Sequence, residues 1–262
     1  MSKQRLLSPF FIFLALACTN PLAPSSSVDS SYLPGLSSST TNPITLRSGL
    51  IAYWNLDSNA NDISGNGNNL SINNGATVYG SGILNNGVSI SDSTGYSLTA
   101  PTFSQFNLTQ DFSVSLWFKA TQHFYDGQCL VCTWNNFSLW YRPPPSYHSS
   151  VYFYIQTTSS GEFIKNPDNA IVQNTWNHIV ATKSGSNYVI YLNGAVSASG
   201  TLVGTPIAET TPHLNFDIGN SSHVGYPLNG TIDEIGVWNR ALTATEAAKL
   251  YNNGSAWAFS LF

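Results

Sequence analysis

Short runs in which apolar and polar residues alternate dominate the chain from Gly49 onward. In the run FSVSLWF at 112–118, every second side chain is Phe, Val or Leu, so one face is apolar and the other more polar. Period-two alternation of this kind predicts a half-buried β-strand. Similar runs lie at 50–56, 151–155, 178–182 and 188–192. Because Gly, Asn, Ser and Pro clusters separate the runs, the pattern predicts many short strands in a sandwich or barrel.

Two local signals refine this prediction. Asn193 and Gly194 readily adopt the positive φ angles of a type I′ turn, which predicts a β-hairpin over 188–199. Thr243 and Glu246 have the spacing of a capping box, so we expect a short helix that stops by Gly254 and packs on the sandwich. The sequence has no repeat of solenoid or propeller period, which favours a single sandwich.

The N-terminal segment is typical of an exported protein. Two basic residues precede an apolar stretch at 6–17, which is too short to span a bilayer as a mature helix and ends at Cys18. Ala15 and Ala17 before this cysteine resemble a bacterial lipobox, which implies that Cys18 is lipidated and becomes the mature N-terminus. The alternative is an ordinary secretory signal with an incidental cysteine.

Residues 19–48 are rich in Ser, Thr, Pro and Asn and contain few side chains that could fill a core, which predicts a flexible stalk. The expected organisation is a signal segment at 1–18, the stalk at 19–48 and one folded domain at 49–262. We therefore expect a protein of the bacterial cell envelope, held at the outer membrane or cell surface by a lipid at Cys18. Without that modification it would be secreted.

Composition narrows the classes of partner. Charged residues make up only 8% of the chain, and nine Lys and Arg residues with a net charge of -4 provide no basic stripe. Nucleic acid is therefore excluded as an expected partner, and membrane contact is expected only through the lipid anchor.

In one extended strand, Cys129 and Cys132 would point to opposite faces with Cα atoms about 10 Å apart, so we expect buried thiols. A turn at Leu130-Val131 would instead permit a disulfide bond.

Four stretches in order along the chain carry a family resemblance. They are GLIAYWNLD at 49–57 with DISGNGN at 62–68, DFSVSLWFK at 111–119, WNHIV at 176–180 with YLNG at 191–194, and GTIDEIGVWNRAL at 230–242. They are similar to the laminin-G-like, concanavalin-type domains of bacterial surface proteins and glycosidases. The resemblance implies an all-β jelly-roll sandwich of two antiparallel sheets, here followed by the short C-terminal helix. Because this fold serves many functions, the fold alone does not assign one.

The resemblance also implies one structural calcium ion between the N-terminal loop and the closing strand. The matching oxygen-bearing positions are Asp57, Asp62, Asn66 and Asp233. Calcium prefers six to eight hard oxygen ligands, which such a loop could provide. The alternative is an Asx-turn loop, in which Asp and Asn only bond to the nearby backbone.

Catalytic patterns are missing from the sequence. The related sandwich glucanases carry Glu-x-Asp-x-x-Glu or Glu-x-Asp-x-Glu on one strand, and nothing here matches. Asp233 and Glu234 are adjacent, so on a regular strand they would point to opposite faces and could not form the acid pair. His178 is expected to be a packed side chain. We therefore expect a protein that is not an enzyme, and a glycan-active enzyme is the weakest alternative.

The stretch from Ala120 to Ser150 is the least patterned part of the domain and is rich in aromatic side chains. Aromatic faces bury the apolar side of a sugar, while polar groups bind its hydroxyls. The expected function is a binding module for carbohydrate or another surface ligand, and the alternative is a structural or protein-interaction module in which these aromatics only pack. The candidate ligand-binding residues are Trp134, Tyr141, Arg142, Tyr147 and His148.

Overall fold

A computed structural model describes residues 45–73, 78–91, 97–100, 106–121, 127–133, 136–145, 148–208, 216–221 and 225–262. Pro43–Phe262 forms one compact unit. Leu46 is fully buried, and its carbonyl oxygen accepts a hydrogen bond of 2.7 Å from the indole nitrogen of Trp238. The folded domain therefore begins before Gly49. Cys18 lies outside the described residues.

β-Strands are the main secondary structure of the described residues, and the alternation of inward and outward side chains along them follows the pattern of apolar and polar residues. They are β1 (Leu50–Trp54), β2 (Ser71–Asn73), β3 (Val78–Ser81), β4 (Asn86–Ile90), β5 (Ser97–Ala100), β6 (Phe112–Ala120), β7 (Gln128–Cys132), β8 (Phe137–Arg142), β9 (Ser150–Gln156), β10 (Gly161–Lys165), β11 (Asn177–Ser184), β12 (Asn187–Leu192), β13 (Ala195–Thr201), β14 (Phe216–Ile218) and β15 (Gly230–Trp238). One α-helix, α1 (Ala244–Tyr251), is present in the same described part of the chain.

The strands form two antiparallel sheets. Within the described residues, the larger sheet has eight strands in the order β13-β12-β11-β6-β15-β4-β3, with β1 also paired to β15. The smaller sheet has seven strands in the order β10-β9-β8-β7-β14-β5-β2. Apolar side chains from both sheets, among them Phe112, Phe118, Phe137 and Phe153, meet in one continuous core. This architecture confirms the predicted jelly-roll sandwich.

The local predictions agree with the structure. The five predicted strand runs lie in β1, β6, β9, β11 and β12. Asn193 and Gly194 have φ angles of 49° and 78°, so they make the predicted turn between β12 and β13. Thr243 caps α1, since its side chain accepts from the backbone of Glu246 and the Glu246 carboxylate accepts from the backbone of Thr243. The predicted hairpin and capped helix are confirmed.

The helix covers the outer face of the larger sheet. Leu250 and Ala247 of α1 pack with Trp238, Val180 and Tyr191, whose side chains point away from the central core. This second apolar cluster explains why β6, β11 and β15 are buried along nearly their whole length. The outward side chains of β8 and β9 in the smaller sheet are instead partly exposed. The accessible face of the sandwich therefore belongs to the smaller sheet.

Strand β7 contains a disulfide bond between Cys129 and Cys132, whose Cα atoms are 6.1 Å apart. The prediction of two buried thiols is therefore wrong. A β-bulge between Cys129 and Val131 shifts the register of β7 against β8, and the inserted Leu130 breaks the odd spacing that would separate the two side chains. The observed Cα separation lies within the normal range for a disulfide.

Reduction of this disulfide is expected to lower the free energy of unfolding by roughly 2 kcal/mol, because the bond closes a loop of only about four residues in the unfolded chain. Urea unfolding with and without a reducing agent measures the effect, with thiol counting to verify complete reduction. A Cys129→Ala/Cys132→Ala variant is the control, since its midpoint should not respond to the reductant. Equal midpoints for oxidised and fully reduced protein would contradict the prediction.

Candidate functional site

The outer face of the smaller sheet carries a row of aromatic side chains. On β8, Leu139 and Tyr141 point into the core, so Trp140 between them points outward. On β9, Phe153 points inward, and Tyr152 and Tyr154 on either side of it point outward. The alternation that builds the core therefore also builds an outward aromatic surface.

Strand register brings these rings together. Trp140 is paired with Tyr152 across β8 and β9, and Phe163 of β10 is paired with Tyr154. The ring centroids of Tyr152 and Phe163 are 5.4 Å apart, and those of Trp140 and Tyr226 are 5.5 Å apart. We call the surface formed by Trp140, Tyr152, Tyr154, Phe163 and Tyr226 the aromatic face. Three strands and one loop thus form a single continuous surface.

The aromatic face is accessible to a ligand. Phe163 is 56% exposed and Tyr226 is 40% exposed, whereas Trp140, Tyr152 and Tyr154 are half-buried. Half-buried rings are held in place by packing while one side remains open to solvent. Contiguous exposed aromatic surface on a soluble domain commonly marks a binding site.

Positive charge lies at one end of the aromatic face. The guanidinium carbon of Arg142 is 4.9 Å from the ring centroid of Tyr152, and the ammonium nitrogen of Lys165 is 5.9 Å from the same centroid. Lys165 also forms an ion pair with Asp168. The hydrogen bond from Lys165 lowers the pKa of Asp168, and the same bond raises the pKa of Lys165. The ion pair between Lys165 and Asp168 is therefore present at neutral pH.

The predicted ligand-binding residues do not all lie on one surface. Tyr141 is fully buried, and its hydroxyl lies 3.2 Å from that of Ser149, so it is a core residue and its prediction as a ligand contact is wrong. The reason is strand phase, since Tyr141 shares the inward side of β8 with Leu139. Arg142 lies on the aromatic face, and His148 is exposed. Trp134 and Tyr147 lie outside the described residues.

None of the five residues of the aromatic face is among the predicted ligand-binding residues. The strand at 151–155 was predicted, and its alternation could have placed Tyr152 on the outward side. Phe163 joins the surface only because β10 pairs with β9, and Tyr226 only because its loop approaches Trp140. No local sequence signal specifies either of these pairings.

The predicted calcium loop is closed by its own hydrogen bonds. Asp62 accepts from the backbone N–H groups of Tyr53 and Ser64 through one carboxylate oxygen and from Asn68 through the other, at 2.8–3.0 Å. Asn66 uses its amide nitrogen to donate to the carbonyl oxygens of Leu50 and Ile51. These contacts have the form of an Asx-turn loop, in which the side chains of Asp62 and Asn66 bind the nearby backbone.

Asp57 and Asp233 both bind the turn between β3 and β4. Asp57 accepts from the backbone N–H of Asn86 at 3.2 Å, and Asp233 accepts from those of Ile83 at 2.9 Å and Leu84 at 3.3 Å. Their chemistry suits a cation, but the other two predicted ligands do not join them. In the described part of the chain, no group of three or more His, Cys, Asp or Glu residues is placed to hold a metal ion.

Glu234 lies next to Asp233 on the same side of the larger sheet. Strand β15 has a bulge between Asp233 and Gly236, and Glu234 itself adopts a φ angle of 49°, which breaks the alternation of side chains. The Tyr53 hydroxyl donates to the Glu234 carboxylate, and the Glu234 backbone N–H donates to Asp233 at 2.9 Å. The expectation that these two carboxylates point to opposite faces is therefore wrong.

Both carboxyl groups are buried, with 0% exposure for Asp233 and 5% for Glu234. Burial, with the negative charge of Glu234 second, raises the pKa of Asp233 to about 8 despite three backbone hydrogen bonds. Burial, with the charge of Asp57 second among the raising effects, lifts the pKa of Glu234 to about 7. Desolvation disfavours the ionised forms, so this acid pair takes up protons in the folded state.

His178 is a packed side chain, as predicted. Its ring is 1% exposed and lies 4.9 Å from the ring centroid of Trp117, and Nε2 is 2.9 Å from the Ser115 hydroxyl. Burial lowers the pKa of His178 to about 3, so the imidazole is neutral at physiological pH. Because α1 and its flanking residues cover this region, no substrate reaches the ring through the described surface.

Removal of calcium with EDTA is expected to leave the melting temperature of the domain unchanged. The reason is that hydrogen bonds between the backbone and the side chains of Asp62 and Asn66 already hold the loop in place without an ion. An ion at a hundredfold excess over its Kd would add about 2.7 kcal/mol, or about 5–10 °C for a domain of this size. Thermal unfolding in EDTA and in millimolar calcium measures this difference. A calcium-dependent rise of that size, lost on Asp233→Asn, would establish the site that the family resemblance implies.

Two antiparallel sheets packed face to face, with a capped helix on one of them, define a concanavalin-type sandwich. The family model for the concanavalin A-like lectin/glucanases superfamily matches residues 91–248, which is more than half of the chain. The chain therefore belongs to this superfamily. No curated protein is significantly similar to it in sequence.

Solved structures with this fold include several binding domains. The binding domain of Paraclostridial Mosquitocidal Protein 1 aligns with a TM-score of 0.64 and 16% identity over 80% of this chain and 53% of its own. Domain 4 of AbnA, a GH43 extracellular arabinanase from Geobacillus stearothermophilus solved with arabinotriose, aligns with a TM-score of 0.60 and 21% identity over 76% of this chain and 96% of its own. The binding domain of botulinum neurotoxin DC, solved with rat synaptotagmin II, aligns with a TM-score of 0.57 and 14% identity over 79% of this chain and 52% of its own.

This chain thus spans about half the length of the toxin binding domains that it matches. At these identities, the likeness establishes the shared fold. Among the described residues, no helix is both long enough and apolar enough to cross a membrane.

Proposed function

We propose that the domain is a non-catalytic module that binds carbohydrate on the aromatic face. The observation that carries this proposal is the cross-strand arrangement of Trp140, Tyr152 and Phe163, whose rings form an accessible surface on one sheet. Sugar rings have apolar C–H faces, which stack on such surfaces, while their hydroxyls need hydrogen-bonding groups. Tyr154 and Arg142 supply such groups at the same surface.

The chemistry of the buried groups supports a role without catalysis. Glycoside hydrolysis needs two carboxyl groups that reach a glycosidic bond from opposite sides. Asp233 and Glu234 are the paired acids in the described residues, and both are buried against the β3–β4 turn and Tyr53 rather than on the aromatic face. A ligand on the aromatic face would therefore lie on the opposite sheet from this acid pair.

The related folds are consistent with two kinds of ligand. The arabinanase domain was solved with arabinotriose, a glycan, and the neurotoxin DC binding domain with synaptotagmin II, a protein. A surface-protein ligand is therefore the second candidate function. The aromatic face favours the first, because it presents a continuous row of accessible rings with hydrogen-bonding groups beside them.

A glycan array is the experiment that tests the proposal. The wild-type domain should bind a defined subset of glycans, and Tyr152→Ala should lose these signals while Trp176→Ala keeps them. Trp176 is the matched control, since its ring lies under Lys119 at 5.3 Å on the other sheet. Binding to host or bacterial surface proteins with no glycan signal would instead favour the second candidate.

We also propose that the protein is lipid-anchored at Cys18 in the bacterial cell envelope. The apolar segment and the Ala-Leu-Ala-Cys sequence at 15–18 support this location. Metabolic labelling with a palmitate analogue should modify the wild-type protein and not Cys18→Ser. Equal labelling of both proteins, or of neither in an expressing cell, would contradict the anchor.

A further inference from the structure

Two positive charges lie together on the aromatic face, although the chain has few charged residues. Lys and Arg number nine in 262 residues, and two of them, Arg142 and Lys165, approach the same Tyr152 ring. Arg47, Lys119 and Lys249 also lie over rings elsewhere in the domain, but each approaches a different ring. Arg142 and Lys165 share the Tyr152 ring, which places two positive charges at one end of the aromatic face.

Other described cations have local structural roles. Arg240 pairs with Glu246 at the start of α1, and Lys183 is buried and donates to the carbonyl oxygen of Gln110 at 3.0 Å. Arg47 donates to carbonyl oxygens at the C-terminus, and Lys249 lies 4.7 Å from the ring centroid of Trp257. Lys165 is likewise paired with Asp168, and what distinguishes Arg142 and Lys165 is that both approach the same ring of the aromatic face.

Negative groups near this surface are held in fixed positions. Asp168 is paired with Lys165. Glu162 of β10 accepts hydrogen bonds from the backbone of Val203 and Gly204 at 2.9 and 3.0 Å, at the edge of the sheet. Asp217, farther along the sheet, is 1% exposed and accepts from Thr99 at 2.9 Å. Within the part of the chain that the structure describes, an anionic ligand at the end beside Arg142 therefore meets two cations and the exposed carboxylate of Asp168.

We propose that the ligand is an acidic glycan, one that carries carboxylate or sulfate groups, and that Arg142 and Lys165 select it; this inference rests on the proposed function. The sugar ring would stack on the aromatic face, and its anionic group would lie at the end beside Tyr152. The planar guanidinium of Arg142 offers paired N–H donors that match the two oxygens of a carboxylate or sulfate. Lys165 adds a second positive charge from β10, on the other side of β9 from Arg142.

The decisive probes are matched pairs of glycans that differ only in charge. They are oligogalacturonate with its methyl ester, and chondroitin sulfate with desulfated chondroitin. We expect the acidic member of at least one pair to bind the wild-type domain more tightly by about ten- to a hundredfold, as charge-assisted hydrogen bonds imply. Binding of the acidic member should weaken as salt is raised from low to physiological concentration, because exposed charges are screened.

Arg142→Gln and Lys165→Gln should each reduce this preference, and Lys119→Gln, the matched cation beside Trp176, should leave it intact. Arg142→Lys should restore part of the affinity but not that of the wild type, since it keeps the charge and loses the planar fork. Thermal unfolding of each variant verifies that the fold is retained. Lys165→Gln alone remains decisive if the Arg142 variants unfold.

The outcomes separate this inference from the proposed function. Equal binding of acidic and neutral members, still lost on Tyr152→Ala, would overturn the acidic preference and leave the carbohydrate function standing. A preference that survives both Gln variants would overturn the role of these two residues. Absence of binding to every glycan on the array, acidic or neutral, would overturn the carbohydrate function and this inference together.

Discussion

Replacement of both Trp140 and Tyr152 by Ala is expected to weaken glycan binding by about a hundredfold or more. The two rings form a cross-strand pair at the centre of the aromatic face, with Tyr226 and Phe163 on either side. Central, well-packed aromatic side chains are typical hot spots, whose truncation costs about 2–4 kcal/mol. Isothermal titration with a glycan that binds the wild-type domain measures the loss.

Trp176→Ala provides the control for this prediction, because it removes a half-buried ring next to a Lys on the other sheet. Its affinity should match that of the wild type. Both variants must keep a cooperative thermal transition, since Trp140 also contacts Tyr226 and lies close to Gly127. A folded double variant with unchanged affinity would show that the ligand binds elsewhere.

Raising the pH from about 5 to about 8.5 is expected to destabilise the domain, with the acid pair as the main cause. Asp233 and Glu234 have pKa values of about 8 and about 7 when folded, above the ordinary values of 3.8 and 4.5. The folded state therefore binds more protons than the unfolded state in this range, so stability falls as pH rises. At 1.36 kcal/mol for each unit of pKa difference, the combined loss is on the order of 5 kcal/mol.

Glu234→Gln is the variant that tests this acid pair. The amide oxygen can still accept from the Tyr53 hydroxyl, while the charge that raises the pKa of Asp233 is removed. At pH 8.5 the variant should melt about 4–8 °C above the wild type, which corresponds to about 2 kcal/mol. The difference should shrink toward pH 5, where both carboxyl groups of the wild type are protonated.

Glu162→Gln is the matched control. Backbone hydrogen bonds from Val203 and Gly204 lower the pKa of Glu162, so this group is ionised throughout the pH range. Glu162→Gln should therefore leave the slope of melting temperature against pH unchanged. A wild-type melting temperature that stays level or rises between pH 5 and 8 in EDTA would contradict the protonated pair. A rise in calcium together with a fall in EDTA would instead mean that a bound cation holds both carboxylates in the ionised form.

Most of the fold could be predicted from side-chain alternation. The run at 112–118 became the central strand β6, and Asn193-Gly194 made the expected hairpin turn, because these signals depend on neighbours along the chain. The two wrong predictions of side-chain direction, at Cys129 with Cys132 and at Asp233 with Glu234, have one cause. Each pair spans a β-bulge, and a bulge depends on how the partner strand fits, which the local sequence does not specify.

The binding surface was predictable only in part. Arg142 belongs to it, but Tyr141 beside it has the opposite strand phase and lies in the core. Composition could identify this stretch as aromatic, whereas phase decides which rings face solvent. Phe163 and Tyr226 come from segments that meet β9 and β8 only through sheet pairing and loop packing. Long-range register of this kind is set by tertiary structure.

Hydroxyl-radical footprinting with and without a bound glycan tests the binding surface most directly, because it reports the solvent exposure of individual aromatic side chains. We expect the glycan to protect Trp140, Tyr152 and Phe163 from oxidation, while Trp176 and Trp257 oxidise at the same rate in both samples. Protection of Trp176 or Trp257, with unchanged oxidation of Tyr152 and Phe163, would contradict it.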